Sequence, residues 1–273
     1  MEPVISSDLI PELFSVKGKV CFITGIGGMG AMYARAFAHN GAKVALANRT
    51  KSKADKICEE LKAEGYDCKS YGLDVSKKDQ VADVVKEIVA DFGSIDILIH
   101  TAAVGFNDDP LNLNDEELRI TTEINYYGTL YVNEAVGNVM AKQGWGRIIN
   151  INSIDGYSVN CIDGMTYACT KAAMQQLTRN YAVSLADKGV TVNGIAPVWI
   201  WTPMMEQRPK DYMVQAAATI PMGRISYAED YLGMTFFLAS EASAYVTGQT
   251  FLVDGGWKAS RIFHYRDEEG VLH

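Results

Sequence analysis

A chain of 273 residues with 48% apolar and 21% charged residues is globular and has ample material for a core. A formal net charge of −8 argues against a nucleic-acid or anionic-membrane surface as partner. No run approaches eighteen uninterrupted apolar residues, so no transmembrane helix is expected, and the acidic start Met1-Glu-Pro-Val-Ile-Ser-Ser-Asp8 lacks the basic region of a signal peptide.

Residues 1–17 read as a polar arm. Lys19–Thr24 is a short apolar run suited to a strand buried on both faces. It runs into Gly25-Ile-Gly-Gly-Met-Gly30, after which Ala31–Asn40 predicts a helix stopped by Gly41. The alternation continues with strands at Lys43–Asn48, Cys68–Leu73, Ile95–His100, Arg147–Asn152 and Val190–Ile195. Between them lie helices at Lys51–Glu64, Lys78–Phe92, Asp115–Ala141 and Met165–Lys188. Thr250–Val253 is a last strand closed by Asp254-Gly-Gly256, and residues 257–273 form a charged tail. Strands alternating with helices predict βαβ units, hence an α/β fold: one Rossmann-type, doubly wound parallel sheet with helices on both faces, spanning residues 18–256.

The five cysteines form no C-x-x-C pair and read as reduced small hydrophobes of a cytoplasmic protein. The four histidines are scattered without metal-ligand spacing, so no metal is expected.

A glycine turn between the first strand and the first helix is an anion site. Backbone N–H groups and the helix N-terminus face the ligand, and glycine lets a pyrophosphate approach. Gly25, Gly28, Met29 and Gly30 are the candidates. At the end of the second strand, a carboxylate would favour the ribose hydroxyl of NAD; here stand Asn48, Arg49 and Thr50. Arg49 suits a 2′-phosphate, which leans the cofactor towards NADP, with NAD left open.

Tyr167 and Lys171 are four residues apart in the predicted Met165–Lys188 helix, so both side chains share one face. A phenol titrates near pH 10, and a neighbouring ammonium draws that value down towards the working range. Ser153, fourteen residues before the tyrosine, ends the strand Arg147–Asn152. A hydroxyl there can hold the oxygen of a carbonyl or alcohol while the tyrosine moves its proton, the chemistry of interconverting ketone and alcohol.

These residues, taken in order, resemble the short-chain dehydrogenase/reductase family from Lys17 to Gly256: the glycine turn, Asp74-Val75, Asn125, Ser153, Tyr167 with Lys171, Asn193-Gly-Ile-Ala-Pro197, and Thr247-Gly-Gln through Val-Asp-Gly-Gly256. The opening Leu13-Phe-Ser-Val-Lys-Gly18 is similar to gluconate 5-dehydrogenase-type members. The resemblance implies that Tyr167 is the general acid/base, that Ser153 orients the substrate oxygen, and that Lys171 binds the nicotinamide ribose and lowers the tyrosine pKa. Asn125 would anchor a water in a proton relay. Asp74 and Val75 would meet the adenine, Ala102 and Pro197 the nicotinamide pocket, and Ile200 and Thr202 the carboxamide. A homotetramer or homodimer would pair through the long helices. Three departures from the family pattern are visible: the glycine turn is one residue short, His100-Thr-Ala-Ala103 replaces Asn-Asn-Ala-Gly, and Val198 follows Pro197. His100 reads as a core histidine.

The segment 199–225 is the expected substrate lid. Trp199, Trp201, Met204 and Met205 make it apolar and adaptable, favouring a small-molecule ketone or alcohol that is bulky and steroid-like. Sugar-acid or polyol oxidoreduction, as in gluconate 5-dehydrogenase, is the alternative. A non-catalytic dinucleotide-binding sensor is the alternative from another class.

Overall fold

The computed structural model describes residues 8–160, 163–201 and 210–260. Its strands are β1 (Val20–Thr24), β2 (Lys43–Asn48), β3 (Cys68–Gly72), β4 (Ile97–His100), β5 (Gly146–Ile151), β6 (Val190–Pro197) and β7 (Thr250–Val253). Its helices are α1 (Leu9–Leu13), α2 (Gly28–His39), α3 (Lys51–Ala63), α4 (Lys78–Phe92), α5 (Asp115–Thr121), α6 (Gly128–Gln143), α7 (Met165–Leu185), α8 (Lys210–Ala218) and α9 (Leu232–Ala239). All strands are parallel, in the order β3-β2-β1-β4-β5-β6-β7.

Residue parity along each strand builds the two layers, because successive side chains point to opposite faces. Cys21 and Ile23 of β1 and Val44 and Leu46 of β2 pack with Tyr33 and Phe37 of α2 and Ile57 and Leu61 of α3. Their neighbours Val20, Phe22, Ala45 and Ala47 pack on the other face with Val85 and Ile88 of α4 and Val132 and Val136 of α6. Strands β1, β4, β5 and β6 are buried along their whole length, as the unbroken apolar runs require.

The strand order reverses between β1 and β4, which opens a crevice at their carboxyl ends. Gly25 ends β1 with φ 79°, and a Cβ there would lie 2.8 Å from Ala102 Cα, just past β4. At Gly30 a Cβ would stand 1.9 Å from the Gly25 carbonyl oxygen. Only glycine fits either position, so the glycine turn and the β4 loop close on each other here.

The structure departs from the sequence reading in five places. Helix α2 starts at Gly28 rather than Ala31, so Gly28, Met29 and Gly30 form its first turn. The helix expected over Asp115–Ala141 is broken by a π-helical turn, Thr122–Tyr127. There the Thr129 hydroxyl donates to the Asn125 carbonyl at 2.6 Å, and Gly128 sits where a Cβ would press on Val75 at 2.7 Å. Part of the polar arm is helical, α1, and the Phe14 ring beyond it lies 6.3 Å from Phe237. Helix α9, an apolar stretch not read as an element, packs Leu238 and Ala239 into the core. Cys58 and Cys68 form a disulfide rather than standing as reduced thiols, with Cα atoms 5.2 Å apart. Cys58 lies on the buried face of α3 and Cys68 opens β3, so the short α3–β3 connection brings the two together. Cys21 and Cys169 are free, and Cys161 lies outside the described residues. Among the described residues no helix is long and apolar enough to cross a membrane.

Candidate active site

The crevice between β1 and β4 opens onto a cleft of about 200 Å³ lined by Gly25, Asn48, Arg49, Lys53, Asp74, Val75 and Ala102, among others. Of the expected cofactor residues, Gly25, Asn48, Arg49, Asp74, Val75 and Ala102 meet here. Asp74 is fixed at the end of β3, its Oδ1 accepting from the Ser76 N–H at 3.0 Å and the Ser76 hydroxyl at 2.7 Å. The Asn48 side chain donates to the Thr50 carbonyl at 3.0 Å, which shapes the rim. Arg49 is exposed, and Lys53 stands one helical turn on; sequence reasoning passed over Lys53. Met29 differs from its companions, for its side chain is buried in the core and only its backbone is left for a ligand. The first turn of α2, which follows directly on the glycine turn, leaves N–H groups without helical partners, the kind of site that takes a phosphate. A tight glycine turn, a helix N-terminus and a cation-edged cleft with no carboxylate at Asn48 fit a nicotinamide dinucleotide.

Past β5 the chain makes a 3₁₀ turn, Ile154–Gly156, with Ser153 at its start. A Cβ on Gly156 would meet Gln175 Nε2 at 2.4 Å and the Lys171 carbonyl carbon at 2.9 Å, so this turn lies directly on α7. That approach brings Ser153 to the face of α7 carrying Tyr167 and Lys171, close enough for its hydroxyl to act on the Tyr167 phenol. Lys171 is 2% exposed, donates to the Ile151 carbonyl at 2.7 Å, and has its Nζ 5.5 Å from the centre of the Tyr167 ring. Asn125, fully buried in the π-helical turn, accepts from the Val104 N–H at 2.9 Å. Its Nδ2 donates to the Val104 carbonyl at 2.8 Å and to the Thr170 hydroxyl at 3.0 Å. Thr170 in turn donates to the Tyr167 carbonyl at 2.7 Å. All four expected catalytic residues therefore converge.

The electrostatics differ from the expectation. Burial brings Lys171 down to about 7, against a smaller opposing pull from Asp155. Tyr167 is not drawn down. Burial, and then the charge of Asp155, push its phenol above its ordinary value, with the Ser153 hydroxyl working the other way. Asp155, two residues after Ser153, was passed over in the sequence. Ser153 Oγ donates to its Oδ2 at 2.9 Å and accepts from its N–H at 3.2 Å. Burial raises the Asp155 carboxyl despite bonds from Ser153 and Asn160.

One further residue was missed. Gly164 precedes helix α7 and has no side chain to cap it, and Asp108 supplies a cap from the β4 loop, accepting the Thr166 N–H at 2.7 Å. Burial raises that carboxyl, but the bonds from Thr166 outweigh it and hold it below the usual range. His100 is a core histidine as read, its Nδ1 2.7 Å from the Thr24 hydroxyl and its Nε2 3.1 Å from that of Thr129. Burial takes it to about 3, so it is neutral.

Beside Tyr167 lies a cavity of about 560 Å³. Its wall combines the rings of Phe106, Trp199 and Tyr212 with Asn107, Asp155, Asn160 and Asp163. Trp199 meets Tyr212 edge to face at 5.6 Å, and its carbonyl takes the Ser226 N–H and hydroxyl at 3.0 and 2.7 Å. Trp201 points elsewhere, with its ring 6.5 Å from Tyr227. Pro197 ends β6 in the core, and Ile200 bridges to Ser226 and packs on the core. Thr202, Met204 and Met205 lie outside the described residues.

A family model described as Enoyl-(Acyl carrier protein) reductase matches residues 25–258. The chain belongs to the short-chain dehydrogenase/reductase family. It is 36% identical over 245 residues to the 3-oxoacyl-acyl-carrier-protein reductase FabG of Thermotoga maritima, covering 88% of this chain and 98% of that one. It is 34% identical over 252 residues to a diacetyl reductase of the (S)-acetoin-forming type from Staphylococcus epidermidis, covering 87% and 98%. A gluconate 5-dehydrogenase from Burkholderia cenocepacia J2315, in complex with NADP and tartrate, shares the fold at a TM-score of 0.87 and 30% identity over 91% of this chain and 98% of that one. This short-chain dehydrogenase/reductase is thus an NAD(P)-dependent oxidoreductase.

The depressed Lys171 has a consequence for stability. Between about pH 7 and the unfolded value of 10.5 the unfolded chain holds a proton that the native lysine has given up. Stability from this group is penalised fully below pH 7 and recovers as pH rises, by up to about 1.4 kcal/mol per pH unit. Urea unfolding of the dinucleotide-free protein at pH 7 and 9.5 should show the wild type gaining stability relative to Lys171→Met; parallel profiles would place the ammonium in water.

Proposed function

We propose that this enzyme interconverts a polar ketone and its secondary alcohol, with NADP as the preferred dinucleotide. The observation that carries the reading is the convergence of the Tyr167 phenol, the Ser153 hydroxyl and the buried Lys171 beside one cavity. The dinucleotide, when bound, supplies or accepts the hydride. Ser153 and Tyr167 together hold the substrate oxygen, and Tyr167 gives that oxygen its proton in reduction or takes it in oxidation. Because burial disfavours the phenolate, the proton leaves Tyr167 only when positive charge stands close, and the Lys171 ammonium is this chain's own source of it. Asn125 fixes the β4 loop to α7 and can hold a water that passes protons on from Lys171. Gly28, Met29 and Gly30 would receive the pyrophosphate on their backbone N–H groups, and Asp74, Val75 and Ala102 the adenosine. Pro197, Ile200 and Thr202 would border the nicotinamide.

The mixed wall of the cavity favours a polar substrate over the steroid-like one expected from the lid's tryptophans and methionines. Asn107, Asp155, Asn160 and Asp163 would each lose water against an apolar skeleton. A sugar acid needs a cation for its carboxylate, and the described lining offers neither lysine nor arginine. A homodimer or homotetramer pairing through the long helices is the assembly that the family resemblance implies.

Two variants test the reading. Tyr167→Phe should lower turnover by about 10²–10⁴-fold, the contribution of a positioned acid/base, while dinucleotide affinity changes little. Retained turnover would remove the proton from Tyr167. Arg49→Asp should lower the kcat/KM preference for NADPH over NADH by about tenfold or more, the worth of a charge-assisted phosphate bond. An unchanged ratio would assign Arg49 to solvent.

A further inference from the structure

The hydride-transfer reading leaves Asp155 unused. A carboxylate beside the reacting centre is costly in two ways. It is partly withdrawn from water, and its charge opposes loss of the Tyr167 proton. Ser153 also spends its hydroxyl hydrogen on Asp155 Oδ2, at 2.9 Å. A group that hinders the proton transfer in the empty pocket makes chemical sense if the substrate cancels its charge.

The rest of the wall has the matching character. The ring faces of Phe106, Trp199 and Tyr212 carry negative quadrupole potential, and Asp163 adds a second carboxylate. Asn107 and Asn160 complete the polar part of the wall. The carboxylates and the aromatic faces attract a cation, and aromatic faces joined to a carboxylate recognise alkylammonium ions. A net charge of −8 would also draw such a substrate to the protein.

We propose that the substrate carries an ammonium group, held by Asp155 against the rings of Trp199, Tyr212 and Phe106, so that the enzyme acts on amino ketones and amino alcohols. This rests on the hydride-transfer reading for the place of the reacting oxygen. Ser153 Oγ touches both that oxygen and Asp155, so the carboxylate lies within about 6 Å of the oxygen and an ammonium bonded to it within about 9 Å, three hydrogen-bond lengths. That limit admits a 1,2- or 1,3-amino alcohol. Pairing with the ammonium neutralises Asp155 as the substrate arrives, and removes its hold against ionisation of Tyr167.

The test compares a 1,2-amino alcohol with two isosteres, one in which hydroxyl replaces the ammonium and one in which carboxylate does. Oxidation is followed with NADP and with NAD. The expected result is a kcat/KM for the amine at least tenfold above both isosteres, and a fall in that ratio of tenfold or more in Asp155→Asn. Trp199→Leu, which leaves the Ser153–Asp155 bond in place, should lower the same ratio. A carboxylate or hydroxyl compound used as well as the amine would overturn the proposal. So would an Asp155→Asn variant that lowers all three substrates equally, for Asp155 would then only position Ser153. Calorimetric binding of the amine to the protein–dinucleotide complex separates the two readings. An amine bound through Asp155 without turnover keeps the ammonium site but defeats hydride transfer and with it the amino-alcohol activity, whereas turnover of neutral alcohols with no amine binding keeps hydride transfer and overturns the ammonium site.

Discussion

The hydrogen bond from Lys171 Nζ to the Ile151 carbonyl sets the geometry of the site. An ammonium removed from water needs a partner, and here the carbonyl at the end of β5 is the partner found. The bond ties α7 to the carboxyl edge of the sheet and so places Tyr167, one turn earlier, over the end of the same strand. Ser153 follows Ile151 by two residues and is turned back onto α7 where Gly156 permits backbone contact. A lysine that satisfied its charge in solvent would leave neither the tyrosine nor the serine where it is.

A second constraint runs from the nucleotide cleft to the same tyrosine. His100 joins the Thr24 hydroxyl at the end of β1 to the Thr129 hydroxyl of α6. Thr129 donates to the Asn125 carbonyl, Asn125 Nδ2 to Thr170, and Thr170 to the Tyr167 carbonyl. Each of these links is buried or nearly so, where a lost partner leaves a polar group unsatisfied. The histidine that replaces the family's usual residue thus does structural work as a neutral two-ended link, and its reach explains how β4 is bound to a helix across the sheet face.

Much of this was legible in the chain. Apolar runs alternating with helical segments fix a parallel sheet, and parity within Val20–Thr24 assigns each residue to a layer. Ser153, Tyr167 and Lys171 were readable because their spacing is local to one strand–turn–helix unit. What stayed hidden depends on distant partners. The π-helical turn at Asn125 arises from Thr129 and from the press of Gly128 on Val75. Asp108 caps a helix 58 residues away in sequence. Cys58 and Cys68 pair only because α3 and β3 fold together. Asp155 was in plain view beside Ser153, but its weight comes from burial and from facing Tyr167, which spacing does not encode. The upward push on the Tyr167 phenol is hidden for the same reason: burial and the charge of Asp155 cause it, and spacing shows neither.

The central claim is that burial holds the Tyr167 phenol neutral until positive charge reaches the site. The direct measurement is the titration of Tyr167 by NMR in protein labelled with ¹³C-tyrosine, with its signal assigned by loss in Tyr167→Phe. Without dinucleotide the phenol should titrate above the ordinary tyrosine value, and saturation with oxidised, positively charged nicotinamide dinucleotide should bring it down. A phenol that titrates below 10 in the free protein, or one unmoved by the dinucleotide, would contradict the account.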